Sequence, residues 1–531
     1  MMHSTSQPLH KEDVSMIDFS IATADDAEAI HELNYLTFTE EIPQHQPNIE
    51  RKRIDRFHDQ NTYLIGKEDD RLVAMIAIRK HRPFSLEEKG VTLDETLTDP
   101  AEIRLLSVRP EYRNSRTFMQ LMRFLMVYLE RETIDHVYIS GTMREAKLYA
   151  RFGFTPIAAT LSSGDAQFVP MLLSRATYER SVIADVLRPL HFLAGPVEVA
   201  PTVRQAAQQA PRPHRTASMR QLDQDLRVRM CQLLDLPHVS MAVGSGTLAN
   251  DIVAQQLTGH GLILNGGEFG QRLIDHAARA GKSFDVHTLP PGHPIDLKQL
   301  AHQLRQTAYN WIWLTHCETS TGVLYDLDAV KVLLDQRTAL VVDAISAVGT
   351  GHFSYDGCTF VTTVSGKAIG GLPGLAFIGH ADRVLPSLCI PRYLDLGLYA
   401  EGVAFSGSSN LLLACQAALD ALDLNQATIK MTYLEQAVRA TGFQLLAQQE
   451  AQAPGILTIV HPSATDLGDA LRIQGYHVQY ESDYLVYNQW LQISTMGQTT
   501  MRQIERLVRV LVRENQRITI KNEKNERPLN P

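Results

Sequence analysis

An α/β chain of more than one domain is what this sequence predicts, on three observations. Between Trp311 and Gly374 three segments follow one another, WIWLTHCETSTG, ALVVDAISAVG and TFVTTVSGKAIGGLPG, each an apolar β-branched run that ends in polar or small residues. Such runs read as buried parallel strands whose carboxyl ends carry functional groups. A shorter alternation of strand and helix patterns occupies residues 17 to 185, and the spacing lengthens from LAGPVEVAP at Leu193. Finally, 531 residues are too many for one hydrophobic core.

The elements follow in order. Residues 1–16 are polar and predict a disordered start. TYLIGKEDDRLVAMIAIR reads as a hairpin turning at Asp69 and Asp70, EIRLLSVRP as a strand, TFMQLMRFLMVYLERE as a helix with a broad apolar stripe, and HVYIS as a strand before AKLYARFGF. The first domain is placed at 17–185 and a linker at 186–192. A large domain follows at 193–430 and a small α+β domain at 431–515; residues 516–531, charged and uncapped, predict a disordered tail.

Composition narrows the function classes. A net charge of −9 gives no reason to expect nucleic acid or an anionic membrane as partner. Cys231, Cys317, Cys358, Cys389 and Cys415 lack CxxC spacing and read as reduced thiols, with no metal site and no disulfide framework. No apolar run approaches the roughly 18 residues of a membrane helix, and the N-terminus lacks the apolar segment of a signal peptide. These features predict a cytoplasmic protein.

The chemistry lies in the three central segments. The middle one delivers Asp343 and the last delivers Lys367, flanked by Ser365, Gly366, Gly370 and Gly371. An acid able to keep a pyridine nitrogen protonated and a lysine able to condense with an aldehyde are what a pyridoxal 5'-phosphate (PLP) enzyme requires. Either alone would mean little, since acids often cap strands and lysines in glycine-rich loops are usually solvated. In GSGTLAN, residues 244–250, the glycines let backbone amides approach an anion at a helix start, which assigns Ser245, Gly246 and Thr247 to a phosphate.

Residues 193 to about 515 resemble the class V aminotransferases of PLP fold type I, which include serine:pyruvate, alanine:glyoxylate and 2-aminoethylphosphonate:pyruvate transaminases. Six blocks in order carry the resemblance: LAGPVEVAPTV with PHRTASM, GSGTLAN, NGGEFGQRL, HCETSTGVL, VDAISAVG and SGKAIGGLPG. It implies a mostly parallel seven-stranded sheet with helices on both faces and a homodimer with shared sites. It also implies that Phe269 stacks on the cofactor ring with Ile345 on the other face, and that Thr319 lies near the phenolic oxygen. Ser406 would fall in the loop that reaches the phosphate from a neighbouring subunit, although the family's usual proline is missing there. The family's acid-gripping arginine, in a strand resembling FRIGxxG, is replaced in LQISTMG by Gln492. A neutral amide lacks that charge-assisted grip. Either another arginine, Arg392 or Arg215, takes over, or the substrate lacks the usual acid group.

Residues 17 to about 175 resemble the GNAT acyltransferases, on EIRLLSVRPEYRNS and YARFGF. The family's turn (Q/R)xxGx(G/A) cradles the pyrophosphate of coenzyme A, but RNSRTF puts Arg116 and Phe118 where small residues are expected. The pattern is closer to the acyl-homoserine-lactone synthase and N-acyl amino acid synthase branch, whose members can draw acyl chains from acyl carrier protein. That resemblance implies Glu102 as a carboxylate that helps deprotonate an amine, against an ordinary strand-end charge, and Tyr149 as a general acid, against a packed tyrosine. For the whole chain it implies a bifunctional transaminase and N-acyltransferase acting on small amines and oxo compounds. The alternative is a PLP-dependent lyase or condensing enzyme whose N-terminal domain only docks a partner such as a carrier protein.

Overall fold

The computed structural model describes residues 17–113, 115–163, 166–400 and 405–526. The expected disordered start, 1–16, lies outside the described residues. The chain divides into two compact units, one running to Pro189 with Arg472–Gly475, the other comprising Leu190–Leu471 and Tyr476 onward. The predicted linker 186–192 is mostly structured. The helix Val182–Leu187 covers its start, and Leu190–His191 pairs in parallel with Tyr476–His477.

In the first unit an eight-stranded sheet is built from β1 (Asp18–Ile21), β2 (Asn61–Glu68), β3 (Arg71–Arg79), β4 (Ala101–Val108), β5 (His136–Thr142), β6 (Thr155–Pro156), β7 (Leu161–Ser163) and β8 (Ala166–Ser174). Its order is β1-β2-β3-β4-β5-β8-β6, with β7 pairing β8. The β2–β3 hairpin turns at Asp69 and Asp70, both at positive φ (46° and 66°), as the mirror-image turn of a tight hairpin requires. Helices α1 (Ala27–Tyr35), α2 (Ser115–Arg131) and α3 (Ala146–Phe152) cover the sheet, and the apolar stripe of α2 buries Leu121, Met122, Leu125 and Leu129 against it. Strands β4 and β5 are parallel but pair only from Ala101–Ile103 to Val137–Ile139. Beyond that they part, and Leu105 takes a positive φ of 51°.

The second unit is organised on a seven-stranded sheet of β9 (His238–Val243), β10 (His260–Asn265), β11 (Ser283–Thr288), β12 (Trp311–Thr315), β13 (Ala339–Asp343), β14 (Phe360–Val364) and β15 (Leu375–His380). Its order is β9-β15-β14-β13-β12-β10-β11, parallel except where β15 runs against both neighbours. Residues of β12 are buried on both faces, which is why its sequence is apolar without alternation. Among the covering helices are α4 (Gly246–Gln256) and α5 (Glu268–Arg279).

A three-stranded antiparallel sheet, Gln444–Leu445, Ile456–Val460 and Trp490–Ser494, forms a smaller layer with α6 (Leu424–Ala440) and α7 (Met501–Glu526). Two expected boundaries need correction. The division at 430/431 falls inside α6, and residues 516–526 are not a disordered tail but the end of α7. Along α7 a stripe, Ile504, Leu507, Val508, Leu511 and Ile518, at helical spacing, is buried, and Ile518 extends it into 516–526. Glu514 on the same side is fully buried between Arg513 and Arg517 (2.9 and 2.7 Å). Among the described residues no helix is long and apolar enough to cross a membrane, and all five cysteines are free thiols.

Candidate active site

The carboxyl ends of β12, β13 and β14 point to one end of the second sheet, where open α/β sheets place ligands. Strand β13 ends on Asp343, which is buried. Its carboxylate accepts the Asn250 amide (2.8 Å) and the Ile345 backbone N–H (3.0 Å). Asn250 lies on α4 and accepts the Thr362 hydroxyl of β14 (2.7 Å), so three elements fix one acid. Burial pushes the Asp343 carboxyl up, while these hydrogen bonds and the Lys367 charge pull the other way.

Lys367 follows β14 at a positive φ of 53°, a strained conformation for a side-chain-bearing residue. Its Nζ lies 5.5 Å from the centre of the Phe269 ring and makes no hydrogen bond or ion pair among the described residues. Burial holds this lysine below its ordinary value, and the nearby Arg272 acts in the same direction. A lysine so placed keeps more of its neutral, nucleophilic form at neutral pH.

Helix α4 opens at Ser245, whose side chain caps nothing, so the first N–H groups of Gly246 and Thr247 stay available for an anion. Gly246 packs closely on Ile345: a Cβ there would lie 2.3 Å from Ile345 Cδ1 and 3.4 Å from Val364 Cγ1, so the Ile345 side chain would have to shift. Thr319 is buried and donates to Ser346 Oγ (2.5 Å). Fully buried Glu318 accepts the N–H groups of Phe269 (3.3 Å), Gly270 (2.9 Å) and Ser320 (3.2 Å) and the Ser320 hydroxyl, which locks the start of α5 and thereby the Phe269 ring.

An acid, a lysine, an aromatic ring and a free helix N-terminus thus converge as PLP needs them. Ser245, Gly246 and Thr247 would hold its phosphate, Phe269 and Ile345 its ring faces, Asp343 its nitrogen, and Lys367 its aldehyde carbon. Sequence reasoning missed Asn250, Ser346 and Glu318. Asn250 stood in a quoted block, but its partner is 93 residues away.

Other expected residues fall elsewhere. Ser406 lines, with Val243, Tyr399 and Phe405, a cavity of about 150 Å³ to which neither Asp343 nor Lys367 contributes. Arg215 and Arg392 are exposed. Gln492 has its amide engaged within the protein. It is fully buried in the small sheet, where its Nε2 donates to the carbonyls of Thr319 (2.8 Å) and Ser320 (3.1 Å) and to Thr458 Oγ1 (2.9 Å), and its Oε1 accepts from Tyr484 (3.2 Å).

Beside the site, His316 is buried with its Nδ1 hydrogen-bonded to Tyr355 Oη (2.9 Å), and burial lowers it to about 3. Because an unfolded histidine titrates near 6.5, the unfolded chain takes up a proton below that pH that the folded chain refuses. Stability is therefore lost as pH falls from about 6.5 toward 3, by about 2 kcal/mol at pH 5 for this group. Urea midpoints at pH 7 and pH 5 should converge in His316→Gln relative to the native protein; an unchanged pH gap would refute this assignment.

In the first unit a cavity of about 510 Å³ opens where β4 and β5 part, lined among others by Arg53, Lys89, Arg104, Leu105, Thr142 and Phe168. Glu102 does not reach it. Its carboxylate is completely buried and accepts the Ser85 N–H (2.8 Å), the Ser85 hydroxyl (2.6 Å) and the Leu86 N–H (3.2 Å). The residue expected to face an amine instead anchors a neighbouring turn. Tyr149 packs edge-on against Phe154 (6.0 Å), and burial raises its hydroxyl. At the start of α2, Arg116 is exposed and Phe118 packs against Phe152 (6.3 Å).

Comparison with known proteins agrees with this division. Residues 18–157 match the family described as acetyltransferase (GNAT) domain. Alanine–glyoxylate aminotransferase 1 of Saccharomyces cerevisiae is 34% identical over 167 residues, 29% of this chain and 41% of the relative. A 2-aminoethylphosphonate–pyruvate transaminase of Pseudomonas fluorescens is 28% identical over 174 residues, 30% of this chain and 47% of the relative. The chain thus spans less than half the length of these two curated relatives. The solved alanine–glyoxylate aminotransferase of a Nostoc species superimposes with a TM-score of 0.55 at 22% identity, covering 61% of this chain and 95% of that one, a likeness of fold. One polypeptide therefore joins a GNAT domain to a region with the fold type I architecture and the relatives of class V aminotransferases.

Proposed function

We propose that the second unit is a PLP-dependent aminotransferase acting on a small amino or oxo compound, and that the first N-acylates an amine of the same pathway. The observation that carries the first half is the convergence of Lys367, Asp343, Phe269 and the open N-terminus of α4. When bound, PLP supplies an aldehyde that receives the substrate's amine and a ring that accepts electrons. Asp343, held by Asn250, keeps a proton at the ring nitrogen. Lys367, as general base, would carry a proton to and from the substrate carbon. Phe269 and Ile345 exclude water from the ring faces. Ser406, outside this constellation, fits a role in the site of a second subunit of a homodimer.

Reduction with borohydride followed by peptide mapping tests this half: the pyridoxyl group is expected on Lys367, and a label on any other lysine refutes it.

For the first unit, the cavity between β4 and β5 supplies room for an acyl thioester, from coenzyme A or acyl carrier protein, and an amine. A second reading draws on Glu102, whose engagement with Ser85 and Leu86 leaves no expected base; the domain would then dock a partner, and the PLP site could serve a lyase or condensing reaction. Transfer from coenzyme A and carrier-protein thioesters to a panel of amines separates the two.

A further inference from the structure

A cavity of about 350 Å³ in the second unit takes no part in the site described above, although Ala368, the residue after Lys367, forms part of its wall. Gly349 lines it too, and a Cβ on Gly349 would lie 2.8 Å from the carbonyl carbon of Ala368, so this wall is rigidly packed backbone. Three features inside it share one preference.

The first is Lys430 on α6, half-buried and with neither hydrogen bond nor ion pair among the described residues. Burial holds its ammonium below the ordinary lysine value, with Asp423 the charge acting against that shift. The second is Thr499, 3% exposed, whose hydroxyl has no partner. A hydroxyl left unsatisfied in a buried place is destabilising unless something arrives to bond it.

The third is the start of α7, a helix of 26 residues whose first residue, Met501, lines the cavity. Thr500 satisfies the N–H groups of Gln503 (3.0 Å) and Ile504 (3.1 Å), which leaves those of Met501 and Arg502 without a helical carbonyl. Asp423 also lines the cavity, but its Oδ1 caps α6 by accepting the Gln426 N–H (3.0 Å).

We infer that this cavity binds a small oxyanion, a phosphate or carboxylate group of a metabolite, between the Lys430 ammonium, the Thr499 hydroxyl and the N-terminus of α7. A cation, a buried orphan hydroxyl and the free N–H of Met501 each favour negative oxygen, and a helix N-terminus adds its dipole to the same end. An occupant would touch Ala368 and so abut the segment that carries Lys367.

Calorimetric titration of the PLP-loaded protein with inorganic phosphate, at low ionic strength, tests the site. With the cofactor site filled, one saturable event is expected. It should weaken about tenfold or more in Lys430→Gln and in Thr499→Val and return in Thr499→Ser, with bound-cofactor absorbance unchanged in all three. Succinate as a second probe distinguishes the source: binding of succinate but not phosphate, with the same dependence on Lys430 and Thr499, supports a carboxylate ligand. Phosphate and succinate that both fail to saturate, or that bind equally well to both weakened variants, overturn the proposal. Cofactor absorbance reports the Lys367 site independently, so failure here is separate from failure of the aminotransferase reading.

Discussion

Lys367→Ala should lower the rate of amino transfer by about 10²- to 10⁴-fold, the contribution of a positioned general base, while the protein still binds PLP. Binding survives because the phosphate grip resides in Ser245, Gly246 and Thr247 at the start of α4 and the ring contacts in Phe269 and Ile345, none of which depends on the lysine. Small amines such as methylamine should restore part of the rate, since the space vacated lies between Phe269 and Gly195, whose Cβ position is 3.8 Å from the lysine Cε. The pH profile carries a further sign. Burial lowers Lys367 from the ordinary lysine value, so the native rate should reach its basic plateau below that value, whereas the rescued rate should follow the pKa of the added amine. Single-turnover measurements check both. Full activity in Lys367→Ala, or rescue that ignores the amine's pKa, removes Lys367 from the proton-transfer role.

The parts of this site that were legible in the sequence are those whose meaning is local. A β-branched run buried on both faces announces a central strand, and its last residue then falls at the sheet's carboxyl edge, which is how Asp343 and Lys367 could be placed. GSGTLAN shows a helix start because glycine and small hydroxyl residues mark one. What could not be read depends on long-range contact. Asn250 matters because Thr362, 112 residues on, orients its amide toward Asp343. Glu102 looked like an exposed or reactive carboxylate until the turn at Ser85, 17 residues earlier, was seen to surround it. Residues 516–526 looked disordered because the apolar stripe that docks α7 lies mostly before them, with only Ile518 among their charges, and only the small sheet beneath shows what that stripe covers.

Gln492 is the position where structure changes the expectation most. From sequence, Gln492→Arg would restore a grip on substrate acids and raise efficiency with alanine or aminoethylphosphonate. The amide is instead fully buried and bonded to two backbone carbonyls, a threonine hydroxyl and Tyr484. An arginine there would carry a charge into that interior at a penalty of several kcal/mol, so Gln492→Arg should lower the urea midpoint and leave acid-bearing substrates no better used. Gln492→Leu should also destabilise, since each polar group it strands costs about 1–3 kcal/mol. The cation better placed to meet an acid is Arg272, one turn along α5 from Phe269. Its guanidinium lies 4.9 Å from the Phe269 ring centre, it has no ion pair among the described residues, and its charge acts on Lys367. Arg272→Gln should reduce kcat/KM for acid-bearing substrates by about tenfold to hundredfold, the equivalent of one charge-assisted hydrogen bond of about 1.5–3 kcal/mol. Neutral amines and the stability of the protein should be unaffected. The reverse pattern, a stable Gln492→Arg with improved use of simple acids and an Arg272→Gln indistinguishable from the native enzyme, would return the acid-binding role to position 492.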